Sequence, residues 1–458
     1  MTKKLTYLLA CVALLFSLFA SETDANTSLT DIRELVEKNY VGKIKGNLED
    51  AQSINELMNM LDAYSEYYTA EEYQRLIQTI NQSMVGIGIS YQQISNGLLI
   101  VSTYEDGSAF EAGIQVGDII KAINGVTVQN LSTEKIASMM AGSEGSTVEL
   151  TLETETGSTV VKTITRKSFT IPIVTTAILY GNVGYIHLSS FGTTTAFDVK
   201  RKASEMVNQG VNTFIIDLQD NGGGYVETAR QLISLFPNSV NAFVEKTFNQ
   251  TKMISPLYMN YKLPNTPRVL INRYSASASE MVAASLKDQN GAIVYGERSY
   301  GKGTIQSFMR INGGDVLKLT TNEFLGPNHT KINEVGVNPD VLTETPIQQA
   351  HLDSITEKYP TYKLLKTFEN VDRTKIFTLK FNQEISSNIA SESIELIQLG
   401  NQQVPISIKI NHNELIITPN NPLLPGQQYA LFIHPTNIKN THNKALKNGY
   451  YVPITVKK

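Results

Sequence analysis

Cysteine is almost absent from this chain of 458 residues, whose only one is Cys11. It lies in an apolar segment near the N-terminus, so the rest of the chain has neither a disulfide nor thiol chemistry. Histidine is scarce: the six, at positions 187, 329, 351, 412, 434 and 442, show no short ligand spacing. They suggest no metal centre and no cofactor, and none stands out as a catalytic base. Lysine and arginine form no stripe and the net charge is −4, so no nucleic-acid partner is expected. A long apolar run is also missing. Leu5 to Ala20 is the nearest approach, shorter than the roughly 20 residues that span a bilayer. Behind Lys3-Lys4 it reads as a secretory signal over residues 1–25, cut after Ala20 or Ala25, with an uncleaved anchor as the alternative. Cys11 follows Leu8-Leu9-Ala10 as a lipid-attachment cysteine would, but the apolar core continues beyond it. The expected location is extracytoplasmic.

What remains divides into four units, a multidomain α+β chain. Residues 26–82 are helical: Ile32, Leu35, Val36 and Tyr40 recur at helical spacing, as do Ile54, Leu57, Met58 and Leu61. Thr69 ahead of Glu71 and Glu72 marks a third helix start. This region is expected to cap the following unit, with dimerisation or a membrane-proximal role as the sharper alternative. Residues 83–168 hold apolar strand patterns around Val85-Gly86-Ile87-Gly88-Ile89, a Gly117-Asp118-Ile119-Ile120 strand start, an Asn124-Gly125 turn and a helix from Thr133 to Ala141. The order of the Gly86–Ile89 loop, the Ala112-Gly113-Ile114 turn and Gly117–Ile120 resembles a PDZ domain. Such domains take a C-terminal peptide as an added strand. The resemblance implies a peptide site at Gly86, Ile87, Gly88 and Ile89, with Ile136 from the helix, suited to an apolar terminal side chain.

Residues 169–365 carry the chemistry. Thr213 to Leu218 is a continuous apolar run, like a buried strand, and it empties into Gln219-Asp220-Asn221-Gly222-Gly223-Gly224. Arg268 to Asn272 repeats the pattern and delivers Ser275-Ala276-Ser277-Ala278-Ser279-Glu280. Ile293 to Gly296 leads to Tyr300-Gly301-Lys302-Gly303-Thr304. Open sheets place active sites at such strand ends. A serine hydroxyl needs a base to become a nucleophile, and a lysine held between glycines can supply one. The glycine cluster can aim N–H groups at an anion, although it lacks the lysine of a nucleotide-binding loop. Ser275 and Ser279 read as a strand-end residue and a helix cap.

These three motifs, with Leu61-Asp62-Ala63-Tyr64-Ser65 before and Gly336-Val337-Asn338-Pro339-Asp340 after, resemble the C-terminal processing peptidases, the PDZ-bearing tail-specific serine proteases of family S41. The resemblance covers about residues 28–345. It implies a serine endopeptidase core with Ser277 as nucleophile, Lys302 as general base and Gln306 positioning the lysine. It also implies an oxyanion hole from the N–H groups of Ala278 and Gly223, and a supporting or structural role for Asp288. Substrates would be proteins with exposed, apolar C-termini. Gln219, Gly222 and Ala63 depart from the family, which usually has arginine, proline and proline there, so the loop beside the oxyanion hole is expected to order on substrate engagement. A catalytically silent PDZ scaffold and a non-peptidase Ser–Lys hydrolase are the alternatives.

Residues 370–458 differ again. Short, mostly alternating strands at Phe377–Phe381, Ser393–Ile397, Ile406–Ile410 and Glu414–Ile417 suggest a β-sandwich. It resembles the Ig-like modules of exported and wall proteins of Gram-positive bacteria, which implies a spacer or a surface for a wall or protein partner.

Overall fold

The computed structural model describes residues 29–458 apart from 130, 387–390 and 437. The signal segment and Cys11 lie outside the described residues. Among these, no helix is long and apolar enough to cross a membrane.

The centre of the molecule is a six-stranded sheet in the order Val174–Leu179, Val183–Leu188, Thr213–Asp217, Arg268–Ile271, Ile293–Gly296 and Val341–Leu342. Its first pair is antiparallel and all later pairs are parallel. Alternate residues of a strand face opposite sides, and both sides here are covered. Phe214, Ile216, Val269, Ile271 and Val294 pack under the helices Thr195–Asn208, Val226–Ile233 and Ala278–Asp288. Ile215, Leu270 and Tyr295 pack under the helix Pro346–Thr356. Burial on both sides explains why Thr213–Asp217 reads as an unbroken buried run.

A second sheet joins Glu66–Tyr68, Val316–Leu325, Phe243–Lys246 and Thr251–Ile254, with Thr304–Arg310 also paired to Val316–Leu325. Here the N-terminal region differs from expectation. Its helices Leu29–Asn39 and Ile54–Asn59 pack through Ile32, Val36 and Leu57 on Leu317 and Leu319. The segment thus caps the second sheet of the central unit rather than the PDZ unit, and it adds the strand Glu66–Tyr68 to that sheet.

The PDZ unit is a six-stranded sheet with the helix Thr133–Met140, joined to the centre by the antiparallel ribbon of Ser83–Gly86 and Lys167–Thr170. Its strand Ile89–Ile94 pairs on one side only, with Gly97–Thr103, and leaves an edge. The C-terminal unit is two sheets around one apolar core that includes Phe377, Leu396, Ile417, Leu431 and Val452. It begins earlier than expected, because Lys363–Leu364 already pairs with the final strand Tyr450–Val456. It docks on the central unit through Ile355, Ile397, Leu399, Ala430 and Phe432.

Candidate active site

Parallel strands end on the same side, so the loops after Thr213–Asp217, Arg268–Ile271 and Ile293–Gly296 converge at one edge. The second loop turns sharply into the helix Ala278–Asp288 at Ser277, whose φ of 56° and ψ of −113° lie outside the regions favoured by a residue with a side chain. Such strain persists only where neighbours over-determine it, and here they do. Ser275 Oγ donates to Leu218 O at 2.8 Å, Ala276 N–H to Asn221 O at 3.0 Å, and Ser279 Oγ to Asn221 O at 2.8 Å. Ser275 and Ser279 are thus anchors that stitch the serine run to the glycine loop. Gly223 completes the fit, since a Cβ there would sit 2.9 Å from both Ala276 O and Ser277 Cβ.

Glu280 is fully buried, and its carboxylate joins the two loops. Oε2 accepts from the N–H of Ser277 at 2.9 Å and of Lys302 at 2.8 Å. Oε1 accepts from Ser299 Oγ and from Gly301 N–H, both at 2.6 Å. A buried carboxylate is tolerable only when its lone pairs are filled in this way. The main chains of Ser277 and Lys302 are consequently held within two hydrogen-bond lengths.

Ser277, Lys302, Gln306 and Gly223 line one cavity of about 730 Å³. Burial pushes the Lys302 ammonium down to about 8, with help from the nearby Lys318 and against the pull of Asp62, Glu66 and Glu280. Its Nζ lies 4.7 Å from the centre of the Tyr64 ring. The Gln306 amide donates to Thr304 Oγ1 at 3.0 Å and Thr320 Oγ1 at 3.2 Å, which fixes its orientation in the same cavity.

The remaining sequence-derived residues fall elsewhere or in a different state. Gly223 N–H donates to Asn221 Oδ1 at 2.9 Å and is engaged within the loop. Asp288 stands outside the cavity lining. It closes the turn 326–330, accepting from Asn328 N–H at 2.9 Å and Thr330 Oγ1 at 3.0 Å. In the PDZ unit Ile87 and Ile136 are 3% and 0% exposed and belong to its core. Gly86 and Ile89 border the Gly88 turn, where φ is 77° and a Cβ would strike Gly107 Cα at 2.5 Å.

Three participants escaped the sequence reading. Glu280 stands three residues after Ser277, the spacing of a capping box, so a signal existed. Tyr64 belongs to a motif already singled out, with no feature marking it as a cover for the lysine. His187 also lines the cavity, with Nδ1 4.0 Å from Asp217 Oδ2. Asp217 is buried, which pushes its carboxyl up, and it accepts from Tyr185 OH at 2.6 Å and Gln219 N–H at 2.9 Å. Only the parallel register of Val183–Leu188 on Thr213–Asp217 brings His187 opposite Asp217.

Residues 182–343 match peptidase family S41, residues 99–154 a PDZ domain and residues 366–453 a bacterial Ig-like domain. The chain is 29% identical to a probable CtpA-like serine protease of Staphylococcus epidermidis, over 83% of this chain and 78% of that protein. It is 29% identical to the carboxy-terminal processing protease CtpA of Bacillus subtilis, over 69% of this chain and 66% of that one. A solved structure of a putative S41 protease from Bacteroides fragilis aligns over 74% of this chain and 94% of its own, with a TM-score of 0.49 and 17% identity.

Proposed function

We propose that the chain is a carboxyl-terminal-processing serine protease of the S41 type, with Ser277 as its nucleophile and Lys302 as its general base. The neutral Lys302 amine takes the Ser277 Oγ proton as Oγ bonds to the carbonyl carbon of a peptide substrate. The resulting ammonium then protonates the leaving amine, and an acyl-enzyme remains. Water, deprotonated by the same amine, cleaves the ester and restores Ser277. Gln306 positions the lysine without adding a charge that would favour the ammonium. The oxyanion of each tetrahedral intermediate is held by Ala278 N–H and by Gly223 N–H. Gly223 can serve only after leaving Asn221 Oδ1, so loop 219–224 shifts when substrate engages. Asp288 acts structurally.

The observation that carries this reading is the shared Glu280 oxygen, which holds the backbones of a strained serine and of a lysine depressed to about 8 beside one cavity. Substrate tails are taken up as an added strand on the open edge of Ile89–Ile94, and the location is outside the cytoplasm of a Gram-positive cell. The C-terminal unit is a spacer or partner-binding module. The test is cleavage of an unfolded protein with an apolar C-terminus by the purified protein, Ser277→Ala and Lys302→Ala. Cutting by the parent alone is expected. Folded but inert parent protein that still binds the tail would replace this reading with a silent PDZ scaffold.

A further inference from the structure

The helix Ala70–Ile80 sets Tyr73, Leu76, Ile77 and Ile80 along one side at helical spacing, yet none of its residues is buried. An amphipathic helix ordinarily turns such a stripe into a core. Here Leu76 and Ile80 face the cavity that holds Ser277 and Lys302, together with Ile305 and Phe308 of Thr304–Arg310. The Tyr73 ring lies 5.4 Å from that of Phe308 and packs against it.

The helix is pinned at both ends. Thr69 and Glu72 form a capping box, and Ala70 N–H donates to Asp315 Oδ1 at 3.0 Å. At the other end Ser190 Oγ donates to Ile80 O at 2.8 Å, and Thr193 N–H to Asn81 Oδ1 at 3.1 Å. The apolar stripe is thus held in place while remaining half open to solvent. The other wall of the cavity is polar, with His187, Ser189 and Gln219.

We propose that Leu76 and Ile80, facing Ile305 and Phe308, form the subsite that receives an apolar substrate side chain beside the scissile peptide bond. The N-terminal segment, not the central sheet, thereby sets the preferred cleavage site. The occupant is the substrate because the stripe is continuous with the nucleophile's cavity. The proposal rests on the serine-protease reading given above.

The test digests an unfolded protein of known sequence with the full chain, Leu76→Glu and Phe308→Ala, and maps the cuts by mass spectrometry. Apolar residues at the cut are expected for the parent. Leu76→Glu is expected to lose about tenfold or more in kcat/KM at those sites, through KM, and to gain cuts beside lysine or arginine. Phe308→Ala is expected to admit larger side chains. A second readout does not require turnover: binding of an apolar, C-terminally amidated peptide to Ser277→Ala, with and without Leu76→Glu. Amidation removes the carboxylate that a PDZ domain holds. Binding at least about tenfold weaker in the double variant supports the subsite even if the parent fails to cut, which would defeat only the protease reading. An unchanged cut profile or unchanged peptide binding, in variants whose thermal unfolding matches the parent, overturns it.

Discussion

At the scale of single residues, the proposed chemistry depends on one lysine being neutral and one half-buried serine lining the cavity at a strained turn. Burial lowers Lys302, and Tyr64 lies over it. Tyr64 is itself pushed up to about 12, chiefly by burial and then by its hydrogen bond with Tyr300, so it stays a neutral lid near neutral pH. Glu280 makes the geometry hold. Replacing it with alanine leaves the N–H groups of Ser277, Gly301 and Lys302 and the Ser299 hydroxyl without their acceptor. Hydrogen bonds to a buried charge are worth about 1.5–3 kcal/mol each. Glu280→Ala should therefore cost roughly 3 kcal/mol or more in urea unfolding and abolish cleavage, while unaltered turnover would contradict the clamp. As candidates, Ser277 and Lys302 were legible in the sequence because both sit in short, unusual motifs. His187 was not, because its meaning arises only when Val183–Leu188 pairs with Thr213–Asp217.

At the scale of elements, the strands that deliver the loops were readable from their apolar runs, whereas Ser279, read as a helix cap, lies inside the helix that begins at Ala278. Ser277, expected only as the nucleophile, is also the N-terminal boundary of that helix. The strand Glu66–Tyr68 was invisible, since three residues are too few to show a period of two. What makes it a strand is its partner, Val316–Leu325, about 250 positions away. The helix Ala70–Ile80 announced itself by Thr69 and the following acids, and its capping box is present. Its placement over the cavity came only from tertiary contacts at its two ends.

At the scale of the whole molecule, four units were legible from their separate patterns, but the contact between the last two was not. His351 lies at that contact, fully buried. Gly400 N–H donates to its Nδ1 at 2.8 Å, and its Nε2 lies 2.9 Å from Tyr180 O, an arrangement that requires the neutral ring with its proton on Nε2. Burial lowers its pKa from the ordinary 6.5 to about 4. The unfolded chain therefore takes up a proton below 6.5 that the folded chain refuses until about 4, so this contribution to stability falls as pH drops through that window. The unfolding constant should rise by up to about tenfold per pH unit there from this group. His351→Gln keeps a donor and an acceptor but does not titrate, so denaturant unfolding at pH 7, 6 and 5 should give it a shallower slope than the parent. Equal slopes would place the pH sensitivity elsewhere.

Two side chains lining the cavity, Lys302 and His187, are basic enough in kind to take the serine proton. The most direct measurement is the pH dependence of acylation in a single turnover, for the parent and for His187→Asn. The Lys302 assignment predicts a rate that climbs about tenfold per pH unit and levels off above about 8, with the same midpoint in His187→Asn. A parent rate already level at neutral pH, together with loss of acylation in His187→Asn, would contradict it.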